Sequence, residues 1–163
     1  VKKICKIIDC DYVVFGAPSV RKFPETITEN EATTTMVNFL SIASRDINIG
    51  FEAIPPNYNT NFCNNYLQVQ NLVDLINSDN LNIHFDTGCA TDYGIIKSIN
   101  SVNKTKIRNI HLSKPNLASL DGTENFIDIL SKNGLLRNRF VSIEMRKTPI
   151  SNIKTSLKVF EGS

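Results

Sequence analysis

The stretch Leu81-Asn82-Ile83-His84-Phe85-Asp86-Thr87-Gly88 decides the fold. It opens with a short, mostly apolar run, and a carboxylate followed by a turn-forming Thr-Gly pair ends that run. Short apolar runs bounded by turn signals are typical of strands inside a sheet. We therefore predict a strand over Leu81–Phe85 that delivers Asp86 at its carboxyl end.

Three further apolar runs end in the same way, each with an acidic residue or a histidine. They are Ile47–Phe51 before Glu52, Ile107–Ile110 before His111, and Phe140–Ile143 before Glu144. The four polar positions lie 34, 25 and 33 residues apart, which is about one strand and one helix each time. Carboxylates and imidazole are ligands of divalent cations, so the set predicts one shared metal site. The alternatives are a strand-ending turn at Asp86, a structural histidine and a solvated Glu52.

Helical segments separate these runs along the chain. We predict strands at Tyr12–Phe15, Ile47–Phe51, Leu81–Phe85, Ile107–Leu112 and Arg139–Ile143. We predict helices at Val1–Ile8, Asn30–Arg45, Asn64–Asn77, Asp92–Val102, Glu124–Lys132 and Ile150–Phe160. Strand-helix alternation indicates an α/β fold with a parallel sheet, and we expect both faces of its strands to be apolar.

Two architectures fit this alternation, an open doubly wound sheet and a (β/α)8 barrel. An open sheet gathers its site at one switch point, whereas a barrel collects side chains from the ends of several strands. Four candidate ligands on four successive strands favour the barrel. A complete barrel needs about 250 residues and eight strands, but this chain has 163 residues, begins within a helix and lacks an initial methionine. We expect residues 1–163 to be a single domain, an incomplete barrel that supplies strands four to eight.

Bulk composition excludes several function classes. The chain is 41% hydrophobic and 21% charged, with a net charge of only +2, which gives no basic footprint for nucleic acid. No apolar run is long enough to span a bilayer, and no secretory signal is visible. The four cysteines match no common zinc spacing. We interpret them as reduced thiols in a cytoplasmic protein.

Five motifs, in chain order, resemble those of the xylose-isomerase-like barrel superfamily. That superfamily holds sugar isomerases, sugar epimerases and the endonuclease-four type of apurinic endonuclease (family 2). The motifs are Tyr12–Pro18 for the fourth strand, Ile49–Glu52 with Pro55-Pro56 and Tyr58–Phe62 for the fifth, His84–Gly88 for the sixth, Ile110–Leu117 for the seventh and Val141–Arg146 for the eighth.

The resemblance implies a metal-dependent enzyme of carbohydrate metabolism. Glu52, Asp86, His111 and Glu144 would ligate a divalent cation, with Mn²⁺ or Mg²⁺ favoured by the oxygen donors and Co²⁺ or Zn²⁺ admitted by the imidazole. The implied reaction is isomerisation or epimerisation of a sugar or sugar phosphate through an enediolate, with Glu52 and Glu144 as the acid/base pair. Arg21, His84 and Arg146 are candidate substrate contacts, for which ordinary packing is the alternative.

Departures from the family pattern keep other functions open. Cys89 stands where the epimerase and endonuclease branches carry a histidine, and Lys114 stands where relatives often carry glutamate. Asp121 has no histidine beside it, which argues against a three-metal endonuclease. A non-catalytic fragment or binding module is the other alternative, because three strands of the barrel are missing. We expect the exposed sheet edges to drive self-association.

Overall fold

The sheet has five parallel strands whose order in space follows their order in the chain. In the computed structural model, which describes residues 1–147 and 149–161, the strands are β1 (Tyr12–Phe15), β2 (Asn48–Glu52), β3 (Leu81–Asp86), β4 (Ile107–Leu112) and β5 (Phe140–Ile143). A doubly wound sheet would reverse its order at a switch point, and this one does not. The sheet curls into half of a barrel, so the predicted architecture is confirmed.

The curl brings side chains of distant strands together. Arg108 on β4 reaches back to Asp11, which precedes β1, with 3.3 Å between its guanidinium nitrogen and the carboxylate. The Arg108 guanidinium also lies 5.5 Å from the centre of the Tyr12 ring. Gly50 on β2 makes room for that ring, since a Cβ there would lie 1.8 Å from Tyr12 Oη. A side chain at residue 50 would therefore obstruct the curved sheet.

In the described part of the chain, seven α-helices connect and flank the strands. They are α1 (Lys2–Ile7), α2 (Glu29–Ala43), α3 (Tyr66–Ile76), α4 (Thr87–Thr91), α5 (Ile95–Asn100), α6 (Glu124–Lys132) and α7 (Ile150–Glu161). Most bounds agree with the predicted ones to within two residues. Within the described ranges, none of these helices combines the length and the apolar character needed to cross a membrane.

Local signals explain where the longer helices begin and end. Thr28 and Glu31 form a reciprocal capping box at the start of α2, which satisfies two backbone N–H groups. Asn65 caps α3 through the backbone N–H of Gln68. Asn77 ends α3 in the left-handed conformation, with φ 47°.

The helix predicted at Asp92–Val102 is wrong in its extent. The chain forms α4 directly after β3, because the Asp86 side chain accepts a hydrogen bond from the Cys89 N–H and so caps it. Gly94, at φ 87°, then separates α4 from α5. Asp86 thus ends a strand and starts a helix.

The hydrophobic core lies between the convex face of the sheet and the helices. Strand residues that point outward alternate with those that point inward, and on the three central strands, β2 to β4, the outward residues are buried. That set includes Phe51, Ile83, Phe85, Ile110 and Leu112, which pack with Leu40, Tyr66, Val69, Leu72 and Leu130 from the helices. This layer holds the strands, and therefore their carboxyl ends, in fixed register.

The concave face is polar, which corrects the expectation that both faces of the strands are apolar. His84 pairs in register with Glu52 on one side and Asn109 on the other, so these three side chains share the inner face. Tyr12 Oη, Asn82 Nδ2, Asn109 Oδ1 and both ring nitrogens of His84 are buried without a hydrogen-bond partner in the described residues. Such groups require polar partners when they are kept from water.

Candidate metal centre

The four predicted ligands converge at the carboxyl ends of the strands. Glu52 and Asp86 are the last residues of β2 and β3, His111 is the penultimate residue of β4, and Glu144 directly follows β5. Donor atoms of Asp86, His111 and Glu144 all lie within 4.8 Å of one another, and so do those of Glu52, Asp86 and Cys89. Asp86 belongs to both groups. The geometry therefore joins the four predicted residues through Asp86 and adds Cys89 to them.

His111 forms the polar link between Asp86 and Glu144. Its Nδ1 lies 3.1 Å from Glu144 Oε2 and 4.0 Å from Asp86 Oδ2. The hydrogen bond to His111 lowers the pKa of Glu144. Glu144 is the most exposed member, with 43% of its side chain accessible, so this end of the site is open to solvent.

Asp86 is held by an extensive set of hydrogen bonds. Ser113 Oγ, which follows β4, lies 2.7 and 2.8 Å from the two carboxylate oxygens, and the Cys89 N–H donates to Oδ1 at 2.7 Å. The backbone N–H of Asp86 donates to Tyr66 Oη at 2.6 Å. Burial raises the pKa of Asp86 even though these donors oppose the shift. The fold therefore fixes the orientation of a carboxylate that it also desolvates.

Sequence reasoning missed Ser113 and Tyr66. Ser113 lies two residues beyond His111, so strand alternation could have placed both on the same face. Tyr66 begins α3 and approaches from the convex side, and no pattern in the sequence connects it with Asp86.

Glu52 is the most enclosed of the carboxylates. It is 8% exposed, and its Oε1 lies 3.7 Å from the thiol of Cys89. Its Oε2 lies against Gly16, where an added Cβ would come within 1.8 Å. Burial, followed by the charges of Asp86 and Glu144, raises the pKa of Glu52 well above its usual range, and Arg21 partly opposes this.

The three carboxylates, Cys89 and Ser113 line one cavity of about 170 Å³, whereas His111 is not part of its wall. Its polar wall consists of Glu52, Asp86, Cys89, Ser113 and Glu144, and the remaining wall consists of Gly16, Pro18, Ile54, Tyr58 and Leu117. A larger cavity of about 600 Å³, lined in part by Asn48 and Asn80, lies at the amino ends of the strands and contains none of the predicted ligands. In parallel (β/α) barrels the functional sites lie at the carboxyl ends of the strands, which favours the smaller cavity.

The three predicted substrate contacts lie outside this cavity wall. Arg21 is fully buried, donates to the carbonyl oxygens of Phe15 and Glu52, and lies 3.6 Å from the centre of the Phe51 ring. Arg146 is exposed and lines a different hollow, with Ile153 and others. Arg21 therefore contacts protein atoms beside the site, and Arg146 faces solvent.

His84 lies next to His111 on the concave face of the sheet. The two rings meet edge to face, with 4.1 Å between their centres. Burial, together with the neighbouring His111, lowers the pKa of His84 to about 3, so it is neutral at physiological pH. A neutral ring at this position supports the orientation of His111 without adding positive charge to the site.

The decisive comparison concerns the family. The model of the xylose isomerase-like TIM barrel family matches residues 3–161. The chain belongs to this family. The predicted resemblance is thus confirmed. A separate comparison with curated proteins found no match.

Several solved structures share the fold. The IOLI protein, solved with a bound zinc atom, is 20% identical with a TM-score of 0.68; the match covers 98% of this chain and 65% of that one. D-Psicose 3-epimerase from Clostridium cellulolyticum H10, solved with D-tagatose, is 12% identical with a TM-score of 0.69, covering 97% and 59%. The 3-keto-D-glucoside 4-epimerase YcjR from E. coli is 10% identical with a TM-score of 0.73, covering 93% and 60%. At these identities the likeness shows the fold alone, and the chain spans less than two thirds of each structure.

Two residues of this xylose isomerase-like chain, Cys89 and Lys114, differ from the family pattern. Cys89 lies on the cavity wall beside Glu52 and Asp86. Lys114 points away, and its ammonium group donates to the carbonyl oxygen of Asp121 at 2.9 Å. The first departure therefore changes the donors of the site, whereas the second leaves them unchanged.

Proposed function

We propose that the protein is a divalent-metal-dependent isomerase or epimerase of a sugar or sugar phosphate. One observation carries the proposal: three carboxylates and one imidazole, delivered by four successive strand ends, gather at one end of the sheet in two clusters that share Asp86. The three carboxylates line a small cavity there. Carboxylates at such separations repel each other unless a cation lies between them.

The donor set fits a divalent ion. Glu52, Asp86, His111 and Glu144 would hold it, and their three carboxylates supply the oxygen ligands that Mn²⁺ and Mg²⁺ prefer. The imidazole of His111 also suits Co²⁺ and Zn²⁺. A bound divalent ion would polarise adjacent carbonyl and hydroxyl oxygens of a sugar and so acidify the C–H between them.

Glu52 and Glu144 are the proposed acid/base pair. They come from β2 and β5, on opposite sides of β3 and β4, and both line the cavity. Carboxylates that face a substrate from two sides can remove a proton on one face and return one on the other. Epimerisation needs both faces, and isomerisation needs a proton moved between neighbouring carbons.

The similar structures support the substrate class through the fold. Two of the three described above are sugar epimerases by name, and the third was solved with zinc. Their low identity leaves the substrate to be tested. Small sugars also suit a cavity of about 170 Å³ that opens to solvent beside Glu144.

A non-catalytic role is the second candidate. The half-barrel favours it, because a complete barrel draws its site from eight strands and the described sheet has five. An endonuclease is the weakest alternative, since the whole chain holds two histidines.

Metal binding separates the first two candidates. We expect the purified chain to bind one Mn²⁺ or Zn²⁺ by calorimetry, and Glu144→Gln to weaken this at least ~10-fold, as lost metal-site groups do. Glu25→Gln, which changes an exposed carboxylate that does not line the cavity, is the matched control. Turnover is then tested by deuterium uptake from D₂O into a panel of ketoses. Absence of metal binding refutes the proposed function.

A further inference from the structure

The polar wall of the cavity contains a thiol. Cys89 is the third residue of α4, and its Sγ lies 3.7 Å from Glu52 Oε1. One donor atom from each of Cys89, Glu52 and Asp86 falls within 4.8 Å of the others. This spacing is tight enough for one ion to contact all three.

The backbone fixes the position of this thiol. The Cys89 N–H donates to Asp86 Oδ1 at 2.7 Å, which ties the first turn of α4 to the end of β3. Gly88 packs so closely on the segment after β4 that a Cβ would lie 2.5 Å from Ser113 Oγ and 2.8 Å from the Lys114 carbonyl carbon. Cys89 is therefore presented from a turn that is anchored on both sides.

The carboxylate beside the thiol lacks a cation. Glu52 is more than nine-tenths buried, and no lysine, arginine or histidine nitrogen among the described residues comes within 4.0 Å of its carboxylate. The nearby Arg21 donates to the carbonyl oxygen of Glu52 and not to its side chain. A buried carboxylate that Arg21 offsets only in part and that no cation contacts is costly, which indicates a missing positive group at this point.

We propose that Cys89 is a sulfur ligand of the metal, so that the site prefers thiophilic ions (Zn²⁺, Co²⁺ or Cd²⁺) over Mg²⁺ and Mn²⁺. The inference rests on the proposed function, and it narrows the choice of ion. Soft thiolate donors favour these metals, whereas an all-oxygen set favours hard cations. On coordination the thiol gives its proton to solvent and binds as the thiolate.

Cobalt reports on the ligand directly. Titration of the full chain with Co²⁺ should produce a thiolate-to-cobalt charge-transfer band in the near ultraviolet. Cys89→Ser should abolish the band, and Cys10→Ser, which changes a half-buried thiol outside the cavity, should retain it. By calorimetry, Cys89→Ser should weaken Zn²⁺ binding ~10–100-fold and change Mg²⁺ binding little, in the range known for metal-site groups.

Two results distinguish failure of this inference from failure of the proposed function. If Co²⁺ binds to the unaltered chain without a thiolate band, Cys89 is not a ligand, although the metal site stands. If no divalent ion binds to the unaltered chain, both the metal site and its sulfur ligand are refuted. Cys89→Asp supplies a further check: an oxygen donor at this position should shift the preference toward Mg²⁺, and an unchanged order of affinities contradicts the inference.

Discussion

Ser113→Ala tests how the site is built. The Ser113 hydroxyl is fully buried, bridges both oxygens of Asp86 and accepts the Gly88 N–H at 3.0 Å. Its removal leaves one backbone donor and one side of a buried carboxylate without a partner. Buried groups that lose partners cost about 1–3 kcal/mol each, and we expect a total of about 2–4 kcal/mol.

The expected change is large enough to measure by thermal unfolding. For a chain of this size each kcal/mol lowers Tm by about 2–4 °C, so Ser113→Ala should lower it by roughly 4–16 °C. Ser98→Ala is the matched control, since Ser98 is equally buried but makes one long hydrogen bond of 3.4 Å to the Ala90 carbonyl oxygen. It should cost less than about 1 kcal/mol.

A double-mutant cycle isolates the contact itself. Combining Ser113→Ala with Asp86→Asn should reveal a coupling of about 1–3 kcal/mol, as contacting polar residues do. Ser113→Ala should also weaken metal binding ~10–100-fold because the ligand loses its orienting partner. A coupling near zero, or a Tm no lower than that of Ser98→Ala, would refute the assignment of Ser113 as a positioning residue.

Three further substitutions test other parts of the structure. Gly16→Ala forces a methyl group into the space of Glu52 Oε2, so calorimetry should show weaker metal binding; unchanged affinity contradicts the described packing. Tyr12→Phe removes a buried hydroxyl without a partner in the described residues, so urea unfolding should show no loss of stability beyond about 1 kcal/mol; a greater loss means that the hydroxyl has a partner. Arg21→Lys breaks the stacking on Phe51 and the paired donation to two carbonyl oxygens, and should cost about 2–4 kcal/mol with metal affinity retained. A loss of affinity without a loss of stability would place Arg21 in the site.

Periodicity predicted the strands closely because burial determines their pattern. The bounds of β1 (Tyr12–Phe15) and α6 (Glu124–Lys132) agree residue for residue, and β4 (Ile107–Leu112) does too. In each case turn-forming or polar residues stand at both ends of a segment with one clear period. Four candidate ligands on four successive strand ends then favoured the barrel over the open sheet.

The concave face was less predictable. Asn82 and His84 lie between apolar residues in a run that is apolar overall, and the pattern does not say which side of the sheet is packed by helices. Only the curl shows that these residues face the interior of a half-barrel. The helix predicted from Asp92 failed for a related reason, because the carboxylate that starts α4 belongs to the preceding strand.

Some residues of the candidate site could be predicted from the sequence and others could not. Strand ends identify Glu52, Asp86, His111 and Glu144 as neighbours, since parallel strands present their carboxyl ends at one edge. The position of the Cys89 thiol depends on a helix turn that follows the strand. The roles of Ser113 and Tyr66 depend on contacts between segments that are distant in sequence, and a single sequence carries no record of them.

Asp86 also couples the site to the stability of α4. The same carboxylate that faces the cavity accepts the Cys89 N–H and thereby nucleates α4, a helix of only five residues. Short helices rely on such contacts, since their own propagation is weak. Binding of a cation or another ligand to this carboxylate therefore changes the rate at which the first turn of α4 opens. The rate of amide hydrogen exchange at Cys89 therefore reports whether the cavity is occupied, and its measurement needs no knowledge of the substrate.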